Sequence, residues 1–551
     1  MPELNLTIFK QGHGFKAELK GHNKFYGDAF KKENEEFFLM LNGVNFQFHS
    51  TDLNLNFEKC ISDYKTYGDE FFSAYRGSFS GALLDKRTGK WVIFTNHMGD
   101  QKLFYYISER KIIISSSIFT IKDQLKEDKK VLTLNKDAAY LLLTKGYMAE
   151  DQTIANEIKR LTAGNYLYIE KDNEYLKTYY KIDNTPNKSY SENDLIERLD
   201  NLFRNAVKQE FDKDLLYGYE HIASMSGGLD SRMTSWVAHD IGYKDIINIT
   251  YSQYGYLDMT IAQKISSYLG YSWLYKALDR YNVLKDIDAN VHLGNALYHW
   301  GAIAMNKYVA PHLVDHDGFG LLHTGQLGDV TLGTYTPTNA YGPPRNIKSI
   351  SSFLASNVTL NLDSYQNHEM ANYYIRGLNG ILTGNFVYQE YTEVASPFLD
   401  IDFIDFCMSI PVESRRYHNI YKKWILKKYP KAARFKWEGM DAKITDPKVV
   451  VRGKLIPVRK LARFFVEGIL HHMNKPINNT YSSFHMNPYN YWYRNNQLLR
   501  DYFNRYFKDH IDLIKDNELK RDCEMQFSRD NAIEKMQVLT IISAIKQLEI
   551  E

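Results

Sequence analysis

Cysteine is nearly absent from this sequence. Only Cys60, Cys407 and Cys523 occur among 551 residues, far apart and without metal-type spacing. A disulfide framework and a structural zinc site are therefore excluded as expectations. Charge of one sign is lacking too. The 68 basic and 66 acidic side chains leave a net charge of +2, which is no signature of bulk nucleic-acid binding. No run approaches the roughly 20 apolar residues of a membrane span. The start, Met1-Pro2-Glu3-Leu4-Asn5-Leu6, lacks the basic then apolar segments of a signal peptide. These absences point to a soluble, cytoplasmic protein with no nucleic-acid partner. What is present is ordinary for a globular chain: 44% hydrophobic and 24% charged residues, with 42 Tyr and 30 Phe. The length exceeds one ordinary core, so two or more domains are expected.

Residues 1–190 read mostly as strands. Leu4-Asn5-Leu6-Thr7-Ile8-Phe9 alternates apolar and polar residues, and Phe37–Leu41, Trp91–Phe94 and Asn165–Ile169 are further strand candidates. Asp85-Lys86-Arg87-Thr88-Gly89-Lys90 is a turn, which predicts a hairpin. Polar residues from Asp183 to Asn193, around Pro186, read as a linker. Beyond it, Leu195, Leu199, Leu202, Phe203 and Ala206 fall at helical spacing. A strand at His221–Met225 runs through a glycine pair into a helix at Met233–Ile241. A strand at Ile246–Tyr251 and a helix at Ile261–Leu269 follow. Strand-loop-helix alternation predicts a parallel sheet covered by helices. From about residue 350 the chain reads as largely helical.

The glycine pair belongs to Ser226-Gly227-Gly228-Leu229-Asp230-Ser231. A strand turning through glycines into a helix leaves backbone N–H groups and the helix dipole facing one point, which suits an anion. Without Cβ atoms, Gly227 and Gly228 admit phosphate oxygens to the backbone. Ser224, Ser226 and Ser231 can add hydroxyl groups, and Asp230 can hold Mg²⁺ against phosphates. Arg232, rather than a Lys followed by Ser or Thr, sets the loop apart from the Walker A pattern. The loop therefore suits the pyrophosphate of ATP rather than transfer of its γ-phosphate. Thr250, Tyr251 and Ser252, at the carboxyl edge of the second strand, are candidates for the adenine pocket.

This loop resembles that of asparagine synthetases and their relatives, including β-lactam synthetases and lasso-peptide cyclases. Leu321-Leu322-His323-Thr324-Gly325-Gln326-Leu327-Gly328-Asp329 resembles the family's segment ending in a second metal-binding aspartate. Glu393-Val394-Ala395-Ser396-Pro397-Phe398-Leu399-Asp400 resembles its Glu-x-x-x-Pro-Phe-Leu-Asp segment. Arg76–Ser80 and Gly99–Tyr106 resemble the amidotransferase domain. The resemblance implies an α/β protein. It has an Ntn-like αββα sandwich at 1–190, then an α/β PP-loop (adenine nucleotide alpha hydrolase-like) domain at 191–551 with a helical C-terminal extension.

The resemblance further implies adenylation. A substrate carboxylate attacks the α-phosphate of ATP, pyrophosphate leaves, and an amine or ammonia displaces AMP. Asp230 and Asp329 would hold Mg²⁺, with Gly325 and the Ser226–Ser231 loop on the nucleotide. Glu393 would shape the acceptor pocket, act as a base, or form a structural ion pair. Either Lys436 or Lys443 could serve the second step, although each also reads as a surface lysine. Gln326 and Val330 depart from the acidic residues of asparagine synthetases, so free aspartate is not the expected acceptor. Pro2 stands where glutamine-hydrolysing members expose a cysteine, so the first domain is expected to lack the glutaminase nucleophile.

Arg452, Lys454, Arg459, Lys460 and Arg463 mix with apolar residues up to Leu470. That pattern suits either peripheral contact with an anionic membrane or a helix packed on the protein. Met486–Tyr493 is dense in aromatics, for stacking on sugars or for a core. The acceptor read from these features is a small-molecule or saccharide carboxylate, such as a uronic acid in surface-polysaccharide assembly. Peptide macrocyclisation and a non-catalytic nucleotide-binding scaffold are the alternatives.

Overall fold

The computed structural model describes residues 3–12, 14–21, 23–171, 173–313, 317–451, 454–472 and 486–551, with the side chains of 310–313 and 467–472 left aside. The first eleven strands build two stacked sheets. Five strands, β1 (Glu3–Phe9), β2 (Phe15–Lys20), β7 (Phe104–Ile107), β8 (Lys111–Ser115) and β9 (Lys159–Arg160), run in the order β2-β1-β8-β7-β9. Six others form the order β11-β10-β6-β5-β4-β3. They are β3 (Phe30–Glu33), β4 (Phe37–Asn45), β5 (Gly77–Asp85), β6 (Lys90–Thr95), β10 (Asn165–Glu170) and β11 (Asn173–Thr178). The turn at Asp85–Lys90 does close a hairpin, with Asp85 paired to Lys90.

Alternation along each strand sorts side chains between two cores. On β4, Phe38 and Met40 point between the sheets, where they meet Leu4, Leu6 and Ile8 of β1. Phe37, Leu39 and Leu41 point outward onto Phe57, Cys60 and Ile61 of helix α1 (Leu53–Tyr67). Helices α2 (Ile118–Glu127) and α3 (Lys136–Thr144) cover the other outer face, over Phe104, Tyr106 and Ile113. The layers are thus α, β, β, α.

The polar segment read as a linker has no regular structure, but it is not all solvated. Asn184 is fully buried and donates to Glu369 Oε2 at 2.7 Å. Helix α4 (Glu192–Leu216) follows, capped by the Ser191 side chain on Asp194 N–H. The second sheet is wholly parallel, in the order β14-β13-β12-β15-β16, from β12 (Glu220–Ser224), β13 (Ile246–Ser252), β14 (Ser272–Ala277), β15 (Phe319–His323) and β16 (Val394–Ala395). Helices α5 (Asp230–Ile241) and α6 (Leu257–Leu269) cross between its early strands. The chain reverses direction across the sheet between β12 and β15. Such a switch point opens a crevice at the carboxyl ends of those strands.

The later chain is mostly short helices, as expected, apart from an antiparallel hairpin at 448–457 that precedes the helix Leu461–His472. Arg452 lies outside the described residues, and so do the side chains of Ile469 and Leu470. The aromatic segment is core: Tyr489, Trp492 and Tyr493 are buried with the helix Ala532–Leu548. That same core includes α2 and α3, so the carboxy-terminal helices seal the first sandwich as well as the second sheet.

Candidate nucleotide and metal site

The crevice at the switch point holds a cavity of about 240 Å³. Its walls are Ser224, Ser226, Gly228, Asp230 and Ser231 from one loop, Thr324, Gly325 and Gln326 from the other, and Ile249, Tyr251, Leu322 and Tyr388 between them. Helix α5 begins at Asp230 with no side-chain cap, so its first-turn N–H groups face the crevice uncapped. The two serines hold the loop shut. Ser231 Oγ lies 3.0 Å from both Ser226 N and Ser226 Oγ, and Ser226 Oγ accepts from Gly228 N–H at 3.1 Å.

The two glycines differ in role. A Cβ on Gly227 would meet Glu438 Cβ at 2.7 Å, whereas one on Gly228 would meet only Ser226 Oγ, at 3.2 Å. Gly227 is glycine because protein packs on it. Its N–H donates to Asp258 Oδ1 at 2.7 Å, and its carbonyl accepts from Glu438 N–H. Gly228 faces the cavity. Leu229 points into the core and does not line the cavity. Arg232 is fully buried, and its guanidinium donates to the carbonyls of Gly227, Ala432, Phe435 and Lys436. It clamps the 432–438 segment over the loop and is not a phosphate ligand.

Asp230 and Asp329 converge. Asp230 Oδ2 accepts from Asp329 N–H at 3.0 Å, and its Oδ1 accepts from the Tyr421 hydroxyl at 2.9 Å. Gly328 makes the approach feasible, since a Cβ there would meet Asp230 Cγ at 2.6 Å. Burial, then the neighbouring Asp329 charge, pushes the Asp230 carboxyl well up; burial also raises Asp329. Burial raises both carboxyls, so bringing the two to the charged form together needs added positive charge. A divalent cation with oxygen ligands fits that donor set, with phosphate oxygens completing the sphere.

Other expected site residues fall elsewhere. Thr250 and Ser252 are buried with their hydroxyls spent on the carbonyls of Met225 and Gln253, because strand alternation sends Ile249 and Tyr251 to the cavity instead. Glu393 is 1% exposed and turns toward the first sandwich. Gln101 Nε2 donates to it, and burial raises its carboxyl to about 8. It borders a separate cavity of about 860 Å³ with Asn42, Gln101 and Gln389 and does not line the switch-point cavity, and among the described residues it makes no ion pair. Lys436 pairs with Asp441 at 2.9 Å and is half exposed. Lys443 is exposed, and neither lysine lines the cavity. Tyr421 and Asp258 were not legible as site residues; nothing in their local sequence ties them to a loop far away in the chain. Tyr251, named with Thr250 and Ser252 from the sequence, does line the cavity.

Beneath the sheet, Asp214, His221 and His323 bring ligand atoms within 4.8 Å of one another. Asp214 Oδ2 is 2.8 Å from His221 Nδ1 and 2.7 Å from His323 Nε2. Asp214 Oδ1 accepts from Leu321 N–H at 2.7 Å, and Glu210 Oε2 lies 3.4 Å from His323 Nδ1. Hydrogen bonds occupy these donors, so the group is an internal ion network rather than a metal centre.

Residues 30–180 match the glutamine amidotransferase domain. The match covers the part of the chain that forms most of the αββα sandwich, here of Ntn type. A protein described as putative asparagine synthetase [glutamine-hydrolyzing] 2, from Methanocaldococcus jannaschii, is 27% identical over 182 residues, which is 33% of this chain and 34% of that protein. The chain thus spans about a third of that relative's length. Among solved structures, the allosteric regulatory enzyme of purine biosynthesis aligns over 50% of this chain and 74% of its own at 9% identity. The glutamine phosphoribosylpyrophosphate amidotransferase of B. subtilis aligns over 74% and 86% at 8% identity. Both have a TM-score of 0.21, too low to bear on the site. Pro2 lies outside the described residues. The three cysteines are buried, and burial raises all three thiols, that of Cys60 to about 12.

Proposed function

We propose that this chain activates a substrate carboxylate with ATP and joins it to ammonia or an amine. The reading rests on one observation: the uncapped head of α5 and the Asp230 carboxyl open onto the same cavity, with Asp329 N–H bonded to that carboxyl. The first-turn N–H groups of α5, with Ser226 and Ser231, bind the pyrophosphate oxygens. Asp230 and Asp329 hold Mg²⁺, which when bound supplies positive charge to the pyrophosphate as it leaves. Gly228 lets phosphate oxygens reach the backbone. Tyr421 orients Asp230 through its hydroxyl. The carboxylate attacks the α-phosphorus, and the barrier falls chiefly through placement and charge. AMP leaves when the amine attacks.

All three cysteines are buried, so the nitrogen comes from free ammonia or an amine substrate rather than from glutamine hydrolysed at one of them. A saccharide acid is the acceptor to test first. The experiment is carboxylate-dependent exchange of labelled pyrophosphate into ATP over a panel of acids. Exchange with at least one acid is expected, falling at least about a hundredfold in Asp230→Ala. ATP binding without exchange for any acid would favour the non-catalytic scaffold.

A further inference from the structure

The segment Tyr373–Ile381 is a nine-residue π-helix. Such turns are rare and concentrate at functional positions. This one lies against the loop that carries Asp329. A Cβ on Gly377 would sit 3.6 Å from the Leu327 methyls and 4.0 Å from the Tyr335 ring. The preceding residue, Arg376, lays its guanidinium over the Tyr335 ring, 4.0 Å from the centroid. It makes one long hydrogen bond, from Nη1 to Asn372 Oδ1 at 3.4 Å, and no ion pair among the described residues. An arginine has five N–H donors in a flat fork that matches a carboxylate or phosphate. Stacking on Tyr335 holds that fork in place and leaves its donor edge unused.

The surroundings add polar atoms that lack partners. Among the described residues, neither the Tyr335 hydroxyl nor Gln326 Oε1 has a hydrogen-bond partner, although both are buried. Gln326 also walls the nucleotide cavity. Arg376 thus stands beside the loop that carries both Gln326 and Asp329.

We infer that Arg376 binds a second anionic group, a carboxylate or phosphate, carried by the acid whose other carboxylate is activated. The inference rests on the proposed adenylation and names its substrate class. A monocarboxylic acid would leave the fork idle. An acid with a second anion, such as a dicarboxylate or a nucleotide-linked uronic acid, would be anchored by it.

The test is pyrophosphate exchange with the full chain, using matched pairs: propionate against succinate, and glucuronate against UDP-glucuronate. Exchange is expected with the doubly anionic member of a pair at a half-saturating concentration at least about tenfold below its partner's. In Arg376→Gln that concentration should rise at least about tenfold. Half-saturation by ATP and Mg²⁺ should stay put, and Arg376→Lys should recover part of the loss. Equal use of both members of each pair would overturn the inference. So would a shift confined to Mg²⁺, which would make Arg376 a counter-ion of Asp329. Exchange that survives Asp230→Ala, or no exchange with any acid, would instead sink the adenylation reading and this inference with it. Unchanged melting of both Arg376 variants separates binding from folding.

Discussion

Asp214 on α4 and Asp230 at the start of α5 both stand beside one parallel sheet. Burial pushes each carboxyl upward. At Asp214, the charges and hydrogen bonds of His323 and His221 more than offset it, so that carboxyl ends below its ordinary range. At Asp230 the neighbour is another carboxylate, so the second influence adds to the first. One aspartate is a finished part of the interior. At the other, the hydrogen bond from Tyr421 does not offset the rise. Burial alone therefore separates nothing; the sign of the neighbour divides structural from functional carboxylates.

The sharpest break of this comparison is a pair of charge-removing substitutions. Asp214→Asn should destabilise the fold by about 3–5 kcal/mol, because His323 and His221 lose the carboxylate they share. Asp230→Asn should leave stability unchanged or raised, since it relieves repulsion. Urea unfolding of both variants tests this, and equal losses would erase the distinction.

Next in size is the dependence on pH. Burial opposes the charge on His323, yet Asp214 and Glu210 raise its pKa from 6.5 to about 9. A raised folded pKa gives stability that is full below the unfolded value and lost as pH climbs through the folded one. Glu210, raised by burial from 4.5 to about 7, acts in the same direction. The melting temperature should therefore fall between pH 6.5 and about 9, with the His323 contribution on the order of 3 kcal/mol. His323→Gln should flatten that slope. A slope unchanged in the variant would place its origin elsewhere.

The smallest effects come from the two glycines. Gly227→Ala forces Cβ against Glu438 and should cost about 1–3 kcal/mol of stability. Gly228→Ala has room for its methyl. It should stay within about 0.5 kcal/mol of wild type, while half-saturation by ATP rises about tenfold. Calorimetry and nucleotide titration on both variants read the split directly.

Local pattern made much of the fold legible. The Asp85–Lys90 turn, alternation in β1 and β4, and strand-loop-helix spacing after residue 220 are short-range signals, and each corresponds to an observed element. The site was legible where backbone chemistry makes it. Ser226, Gly228, Asp230 and Ser231 follow from a strand that turns through glycines into a helix. Long-range packing hid the rest. Glu393 lies next in sequence to β16, an edge strand of the sheet that forms the cavity, yet it turns to Gln101 across the junction with the first sandwich. Thr250 and Ser252 were placed on the correct strand but on its wrong face.

By itself, then, the sequence determined a glycine turn between strand and helix at Ser226–Ser231 and the order of strands and helices around it, because turns and alternation depend on neighbours in the chain. Only the tertiary structure decided that Asp329 meets Asp230, that Tyr421 and Arg376 flank that pair, and that Asp214 is neutralised from below. Asp230 meets Asp329 across 99 positions, and Asp214 meets His323 across 109. The first depends on a close approach at Gly328 and the second on the shared Oδ2 of Asp214, which no local pattern encodes.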